Sequence, residues 1–488
     1  MVDKDLLSMQ EARSLVRAAR TARSKVEEMG QEMIDSIIKA IAEKAVERAE
    51  ELAKMAVEET RFGKWKDKMA KNILASTTLF AHIKDMKTIG ILNEDHEKKI
   101  TEIATPAGVI AALIPSTNPT STVIYKAIIA LKAGNAVVFS PHPSALKCIR
   151  ETVDMIRGTL STMNAPEDLV STMSIPSVEG TNELMKEADL ILATGGPAMV
   201  KAAYSSGTPA LGVGAGNVPA FIERSANIDL AIRNIIASKT FDNGTVCASE
   251  QSIITEKIIS DKVINTLVNH GAYFLEGEKL EKVKAIMERP DGSMNPKIVG
   301  KSATRIARMA GIEIPTNTCL LVAKEKGVGD DFPFSKEKLT SLIGFYIVED
   351  WQEACELCFQ LLRQGGIGHS LAIHSENESV IREFAMKKPV SRMLVNTPST
   401  QGAVGITTNL APALTLGCGT VGGSSTSDNI GPMHLFNIRR VAYGIKNVQQ
   451  DIQQNTNNEY NKTINNSSVD VKLIASLIME QLKKMGNE

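Results

Sequence analysis

The segment Phe241-Asp242-Asn243-Gly244-Thr245-Val246-Cys247 holds the residues whose types and spacing most directly offer chemistry. Asn-Gly favours a turn and tolerates positive φ, and the run Ser252-Ile253-Ile254-Thr255 that follows reads as a strand. A thiol just beyond such a turn is presented to a cleft with its own backbone N–H exposed. Its thiolate is a nucleophile, and the N–H is a donor for an oxyanion. A free cysteine is also commonly a buried packing residue, and residue type alone leaves both readings open. The other five cysteines, at 148, 319, 355, 358 and 418, form no dense disulfide framework. Cys355-x-x-Cys358 falls just after a helix start at Asp350-Trp351, so both thiols share a helical face. No second Cys or His pair stands at zinc spacing, and no metal site is expected.

Phe-Asp-Asn-Gly-Thr-Val-Cys resembles the nucleophile segment of the aldehyde dehydrogenase superfamily, where Phe-x-x-Gly-x-x-Cys carries the catalytic thiol. Further segments, over roughly residues 10 to 445, are similar in the same order to the CoA-acylating branch. Ile114-Pro115-Ser116-Thr117-Asn118-Pro119-Thr120 ends an apolar strand. The resemblance gives Asn118 the oxyanion-donating amide and places Pro115, Ser116 and Thr117 at the cofactor. Ser140-Pro141-His142-Pro143 follows the next strand. Non-acylating relatives carry Lys-Pro there, so Ser140 stands in place of a ribose-binding lysine, and His142 is either a nucleotide contact or a surface histidine. Thr194-Gly195-Gly196-Pro197 lies between a strand and a helix, where backbone N–H groups suit a phosphate. Thr415 to Gly423 and Asn429 to Leu435 resemble the aldehyde-oxidising half of bifunctional alcohol/aldehyde dehydrogenases. No catalytic role is assigned to Cys418 or to His369 in Gly368-His369-Ser370.

Gly212-Val213-Gly214-Ala215-Gly216-Asn217 nearly matches a dinucleotide fingerprint, with Asn217 in the third glycine's place. It is expected to follow no complete strand and open no helix, and reads as the loop lining the cleft opposite Cys247, with Gly214 near the cofactor. Hydrolytic members of the superfamily carry a glutamate here that activates water, and alignment through Gly216 and Pro219 puts Val213 in its place. A valine abstracts no proton. The resemblance therefore implies that coenzyme A, not water, takes the acyl group from Cys247. The implied reaction oxidises a short-chain aldehyde to acyl-CoA with NAD, NADP remaining open. Acetaldehyde leads, with propionaldehyde and sulfoacetaldehyde as alternatives. A hydrolytic dehydrogenase giving free acid is the rival activity, and an idle scaffold of the same fold the rival class.

The elements that must position these residues alternate. Residues 8 to 58 are Ala-, Glu-, Lys- and Met-rich, with Met33, Ile37, Ile38 and Ile41 at helical spacing. They read as two long amphipathic helices, with a third near Lys64 to Lys84. From Thr105, strands at 109–114, 136–139, 170–173 and 190–193 alternate with helices, the pattern of a doubly wound parallel sheet. A second α/β region follows. The expected organisation is a cofactor domain over 1–219 with a return segment near 411–435, a catalytic domain over 220–410, and a dimerisation strand at 436–446. The resemblance implies that this strand, near Arg440 to Tyr443, joins 100–102 in a dimerisation sheet of a homodimer or dimer of dimers.

Gln449 to Ser468 is dominated by Asn and Gln and reads as a flexible linker (447–468). Ser467 and Asp470 form the pattern of a capping box. Beyond them, Val471, Ile474, Ile478, Leu482 and Met485 repeat at helical spacing over 469–488. A tethered amphipathic helix resembles the encapsulation peptides of bacterial microcompartment cargo, implying a shell-protein partner; docking on its own subunit is the alternative. The net charge of −1 offers no global attraction to nucleic acid or anionic membrane. At 4% aromatics, a base-stacking platform is not expected. No signal peptide or bilayer-length apolar run is read. The expected location is cytoplasmic, inside a microcompartment if the tail targets one.

Overall fold

The computed structural model describes residues 3–289, 292, 294–445 and 471–485. Contacts divide the chain into two compact units: residues up to Gly90 with Ala104–Asn437, and Ile91–Ile103 with Ile438–Glu488.

The first unit holds two parallel sheets. The strands β3 (Val109–Ile114), β4 (Ala136–Pro141), β5 (Val170–Thr172), β6 (Leu190–Thr194) and β7 (Ala210–Val213) lie in the order β5-β4-β3-β6-β7. The chain winds outward from β3 one way and then returns to β6 to wind the other way. The crevice between β3 and β6 is therefore a topological switch point. Every residue of β3 and β4 is buried, as a strand covered on both faces requires. The helix Pro119–Lys132 is buried throughout, because the N-terminal helices cover its outer side.

Those N-terminal helices number three over the stretch expected to form two: Lys4–Ser24, Gln31–Glu47 and Ala49–Thr60. The second break escapes a periodicity reading because Arg48 leaves helical geometry alone (φ −100°, ψ 8°). Its guanidinium meanwhile reaches Glu51 and Glu151. The expected helix near Lys64 to Lys84 is also interrupted. Trp65–Ile73 runs into a π turn at Leu74–Thr78 before Leu79–Ile83.

The second sheet joins β8 (Val218–Ile222), β9 (Glu250–Glu256), β10 (Ala272–Leu275), β11 (Leu320–Lys324), β12 (Leu342–Val348), β13 (Gly368–His374) and β14 (Val390–Val395). Its order is β10-β11-β12-β9-β8-β13-β14. Alternate residues feed opposite faces. Ala220, Ile253, Phe345 and Ala372 pack with Ile232, Ile235 and Val263 on one side. Phe221, Ile254, Tyr346 and Leu371 pack on the other with Cys355, Cys358 and Phe384. The two cysteines of Cys-x-x-Cys are thus core residues, and the described residues hold no cluster of three metal-ligating side chains. The change of sheet falls at the loop Gly214–Asn217. The return segment rejoins the first sheet's elements, since the Tyr125 hydroxyl donates to the Ile430 carbonyl and Asn135 Nδ2 to that of Leu435.

In the second unit β1 (Gly90–Asp95), β2 (Ile100–Pro106) and β15 (Phe436–Ala442) form a three-stranded sheet, and Arg440 pairs with Glu102 at 2.9 Å. Val471–Met485 is a helix, as its periodicity predicts. Ile474, Leu477, Ile478 and Leu482 are exposed on it. The expected linker and its capping box lie outside the described residues. Among the described residues no helix is long and apolar enough to cross a membrane.

Candidate active site

A cavity of about 550 Å³ opens at the carboxyl ends of β3, β4, β6 and β7. The loops after those strands supply one wall: Pro115 to Asn118, His142, Thr194 to Pro197, and Val213 to Ala215. The opposite wall carries Phe241, Thr245 to Cys247, Glu337 and Leu339. The switch point and the thiol thus face one space.

The nucleophile loop is bent by three successive left-handed residues: Asp242 (φ 49°), Asn243 (φ 52°) and Gly244 (φ 77°). For the two that are not glycine this costs about 1–2 kcal/mol each, and the surroundings over-determine the bend. Asp242 is fully buried. Its carboxylate accepts from the Lys64 N–H (2.7 Å), Lys68 Nζ (2.9 Å), Lys71 Nζ and the Thr245 hydroxyl (2.6 Å). Asn243 Nδ2 donates to the Gly300 carbonyl at 2.9 Å. Only glycine fits at position 63, where φ is +75° and a Cβ would stand 1.8 Å from Asp242 Oδ1.

The bend delivers Cys247 to the cavity as a thiol. Burial pushes its pKa up to about 12, the Glu337 and Cys418 charges add to that, and Arg392 opposes them. The N–H of Cys247 itself favours the thiolate. Because the thiolate is the reactive form, this cysteine needs a proton acceptor.

Asn118 faces the same cavity from the end of β3. Its backbone caps the helix that begins with Pro119, while its side chain takes no part in capping. The amide is therefore not committed to the helix. Oδ1 accepts from Lys71 Nζ at 2.6 Å, and Nδ2 donates to the Thr245 carbonyl and the Thr117 hydroxyl, each at 3.2 Å.

Of the residues expected at a cofactor, Pro115, Ser116, Thr117, His142, Thr194, Gly195, Gly196 and Gly214 all line this cavity. Ser140 does not. It points to the other face of β4, buried, with its hydroxyl 2.8 Å from that of Thr181, as strand alternation dictates one residue from the strand's end. His142 is exposed, and its Nδ1 accepts from the Ser144 N–H at 3.2 Å. Gly196 caps the helix Pro197–Ser205, so its N-terminal N–H groups open beside the switch point. A dinucleotide's pyrophosphate fits such a place.

The loop Gly212 to Asn217 departs from expectation in one respect. Its first two residues, Gly212 and Val213, end a strand, β7, and the remainder leads into another, β8. It lines the cleft as expected, with Val213 buried at its start. A Cβ at Gly216 would stand 2.2 Å from the Cys247 carbonyl oxygen and 3.3 Å from His369 Cγ. Glycine there lets loop, nucleophile and histidine touch.

Two residues given no role in the sequence reading converge here. Glu337 faces the cavity and accepts from the Gly216 N–H at 3.1 Å. Burial raises its carboxyl to about 7, opposed by that hydrogen bond and by Lys239 and Lys338. Set in Lys336-Glu337-Lys338, it looks like solvated surface charge. His369 is fully buried, with Nδ1 3.0 Å from the Ser370 hydroxyl and no partner for Nε2 among the described residues. Burial, then the Arg392 charge, lowers it to about 3, so the ring is neutral. Its Gly-His-Ser setting is visible in sequence, but its approach to Gly216 and Cys247 comes only from folding.

Comparison with known proteins agrees with this geometry. Residues 5–310 match the aldehyde dehydrogenase family. The bifunctional aldehyde-alcohol dehydrogenase of Escherichia coli K12 is 42% identical over 445 residues, covering 90% of this chain and 50% of that enzyme. The chain thus spans about half the length of that curated relative. The crystal structure of a probable aldehyde dehydrogenase from Listeria monocytogenes EGD-e is 56% identical, with a TM-score of 0.91 over 92% of this chain and all of that one. An acetylating aldehyde dehydrogenase from Geobacillus thermoglucosidasius is 51% identical, with a TM-score of 0.90 over 92% of this chain and 99% of that one. With thiol, amide and switch-point cleft in one place, the chain belongs to the aldehyde dehydrogenase family.

Proposed function

We propose that this chain is a CoA-acylating aldehyde dehydrogenase that converts a short-chain aldehyde, acetaldehyde first, to acyl-CoA. One observation carries the reading. Cys247 and Asn118 share a cavity in which the position of a water-activating glutamate is the buried Val213. The similarity to an acetylating enzyme over nearly its whole length supports it.

The residues divide the work. Glu337, ionised above about pH 7, takes the Cys247 proton. The thiolate attacks the aldehyde carbonyl, forming the C–S bond of a thiohemiacetal while the carbonyl electron pair moves to oxygen. Asn118 Nδ2 and the Cys247 N–H hold that oxyanion. NAD, when bound at the switch point, supplies the hydride acceptor, with NADP the lesser preference. Cys247 then holds the acyl group as a thioester. CoA, as its thiolate, attacks the thioester carbonyl, and the C–S bond to Cys247 breaks with its sulfur as leaving group.

Residues 1–219 with 411–435 serve the dinucleotide in this reading and 220–410 the chemistry. The small sheet of the second unit extends across a homodimer or dimer of dimers. The exposed stripe Ile474, Leu477, Ile478 and Leu482 docks on a microcompartment shell protein. Truncation at Lys446 is expected to leave turnover unchanged and abolish co-purification with shells; lost turnover would make the tail part of the enzyme.

A second reading, hydrolysis to free acid, is favoured by Glu337, a cavity carboxylate that could activate water instead. One assay separates them. NADH formation and product identity are measured with acetaldehyde, propionaldehyde and sulfoacetaldehyde, with NAD or NADP, with and without CoA. CoA-dependent acyl-CoA production supports acylation, and CoA-independent acid supports hydrolysis.

A further inference from the structure

The helix Trp65–Ile73 buries Lys68, Lys71 and Asn72, the polar face of a helix turned inward. Lys68 and Lys71 are 2% and 3% exposed. Two lysines rarely go so far from water unless paired. Both find Asp242, the buried carboxylate of the nucleophile loop. Both also reach across to the end of β3: Lys68 Nζ donates to the Thr117 carbonyl at 2.7 Å and Lys71 Nζ to Asn118 Oδ1 at 2.6 Å.

An ammonium has three donors and no acceptor, so the Asn118 atom facing it must be the oxygen. The amide nitrogen is thereby turned the other way, toward the carbonyl of Thr245 and the Cys247 loop. We infer that Lys71 is a positioning residue for the oxyanion donor: anchored on Asp242, it fixes the Asn118 amide with Nδ2 toward the carbon that Cys247 attacks. The inference rests on the oxyanion role proposed for Asn118. The same ammonium polarises the amide and sharpens its N–H as a donor. Lys71 also lies 3.3 Å from the Thr245 hydroxyl, so one cation links the register of nucleophile and oxyanion donor. Burial lowers Lys71 to about 8, with Asp242 and Asp67 raising it and Lys68 lowering it, so it stays mostly protonated at pH 7.

The test is a double-mutant cycle on the full-length enzyme, followed by NADH formation from acetaldehyde with saturating NAD and CoA. Asn118→Ala is expected to lower kcat about 10²-fold or more, as loss of an oxyanion donor does. Lys71→Met is expected to lower it about 10- to 100-fold, with the aldehyde KM changed less than about threefold. In the Asn118→Ala background, Lys71→Met is expected to cost less than about twofold more, and Lys71→Arg to recover part of the rate. Should Lys71→Met melt below the assay temperature, Lys71→Gln carries the same cycle. Losses that multiply in the double variant overturn this inference alone, because Lys71 then acts independently of the amide. An Asn118→Ala variant with wild-type kcat overturns the oxyanion reading and this inference together.

Discussion

The two walls of the cavity are built on opposite principles. The wall from the five-stranded sheet presents shape and backbone. Among its cavity residues from 114–118, 142 and 194–197, only His142 is titratable. The wall from the seven-stranded sheet is backed by buried charge. Lys239, Asp242, Glu250, Lys338 and Arg392 are all at most 4% exposed. Burial lowers Lys239 to about 7, and raises Glu250 to about 7. The first wall suits a ligand bound through its phosphates and ring faces; the second suits proton transfer and charge development. In the proposed reading, binding falls mainly to the first wall, which also supplies the Asn118 amide, and proton transfer to the second.

Variants sharpen or break that division. Cys247→Ala is expected to show the largest effect, a loss of about 10⁴-fold or more in turnover. Circular dichroism should be unchanged, because the bend is held by Asp242 and Asn243. Substantial turnover in the folded variant would remove Cys247 from the mechanism. Glu337→Gln is expected to cost about 10²- to 10³-fold and to change the pH profile. In the wild type, kcat/KM is expected to rise as pH climbs through about 7, because in the proposed mechanism Glu337 loses its proton before it takes one from Cys247. The variant should lose that limb, and a limb that persists would assign it to another group.

Gly216→Ala comes next. Its Cβ would meet the Cys247 carbonyl oxygen at 2.2 Å, and a shift of about 1 Å at a nucleophile costs about 10²-fold in rate. The dinucleotide KM should move less than kcat, since the clash falls on the Cys247 side of the loop; a loss confined to KM would put this loop on the binding side. Ser140→Ala is the smallest case. Its hydroxyl bonds Thr181, outside the cavity lining, so the KM for NAD is expected to stay within about twofold, a change typical of positions away from a site. A larger change, read from initial rates against NAD, would return Ser140 to the cofactor.

The same contrast explains what the sequence disclosed. The first wall was legible because it is local: strand, loop and helix succeed one another, and the loops at 114–118 and 194–197 fall at strand ends by construction. Ser140 lies one residue of alternation away from the cavity lining. The second wall is assembled from distant segments. Cys247 was legible through its turn and its resemblance. Glu337 was hidden in a lysine-flanked run, and His369 in a glycine-rich strand start. Lys68 and Lys71 sit in a helix whose charged face reads as solvated surface until Asp242, some 170 positions away, is brought under it. Periodicity reports which face is charged, not whether a partner waits beneath it.

The central claim is that the acyl group on Cys247 waits for a thiol. Rapid mixing of enzyme, acetaldehyde and NAD without CoA tests it most directly. The account predicts a burst of one NADH per Cys247, then a stall that CoA relieves, with acyl-CoA as product. Sustained NADH formation without CoA, yielding free acetate, would contradict it.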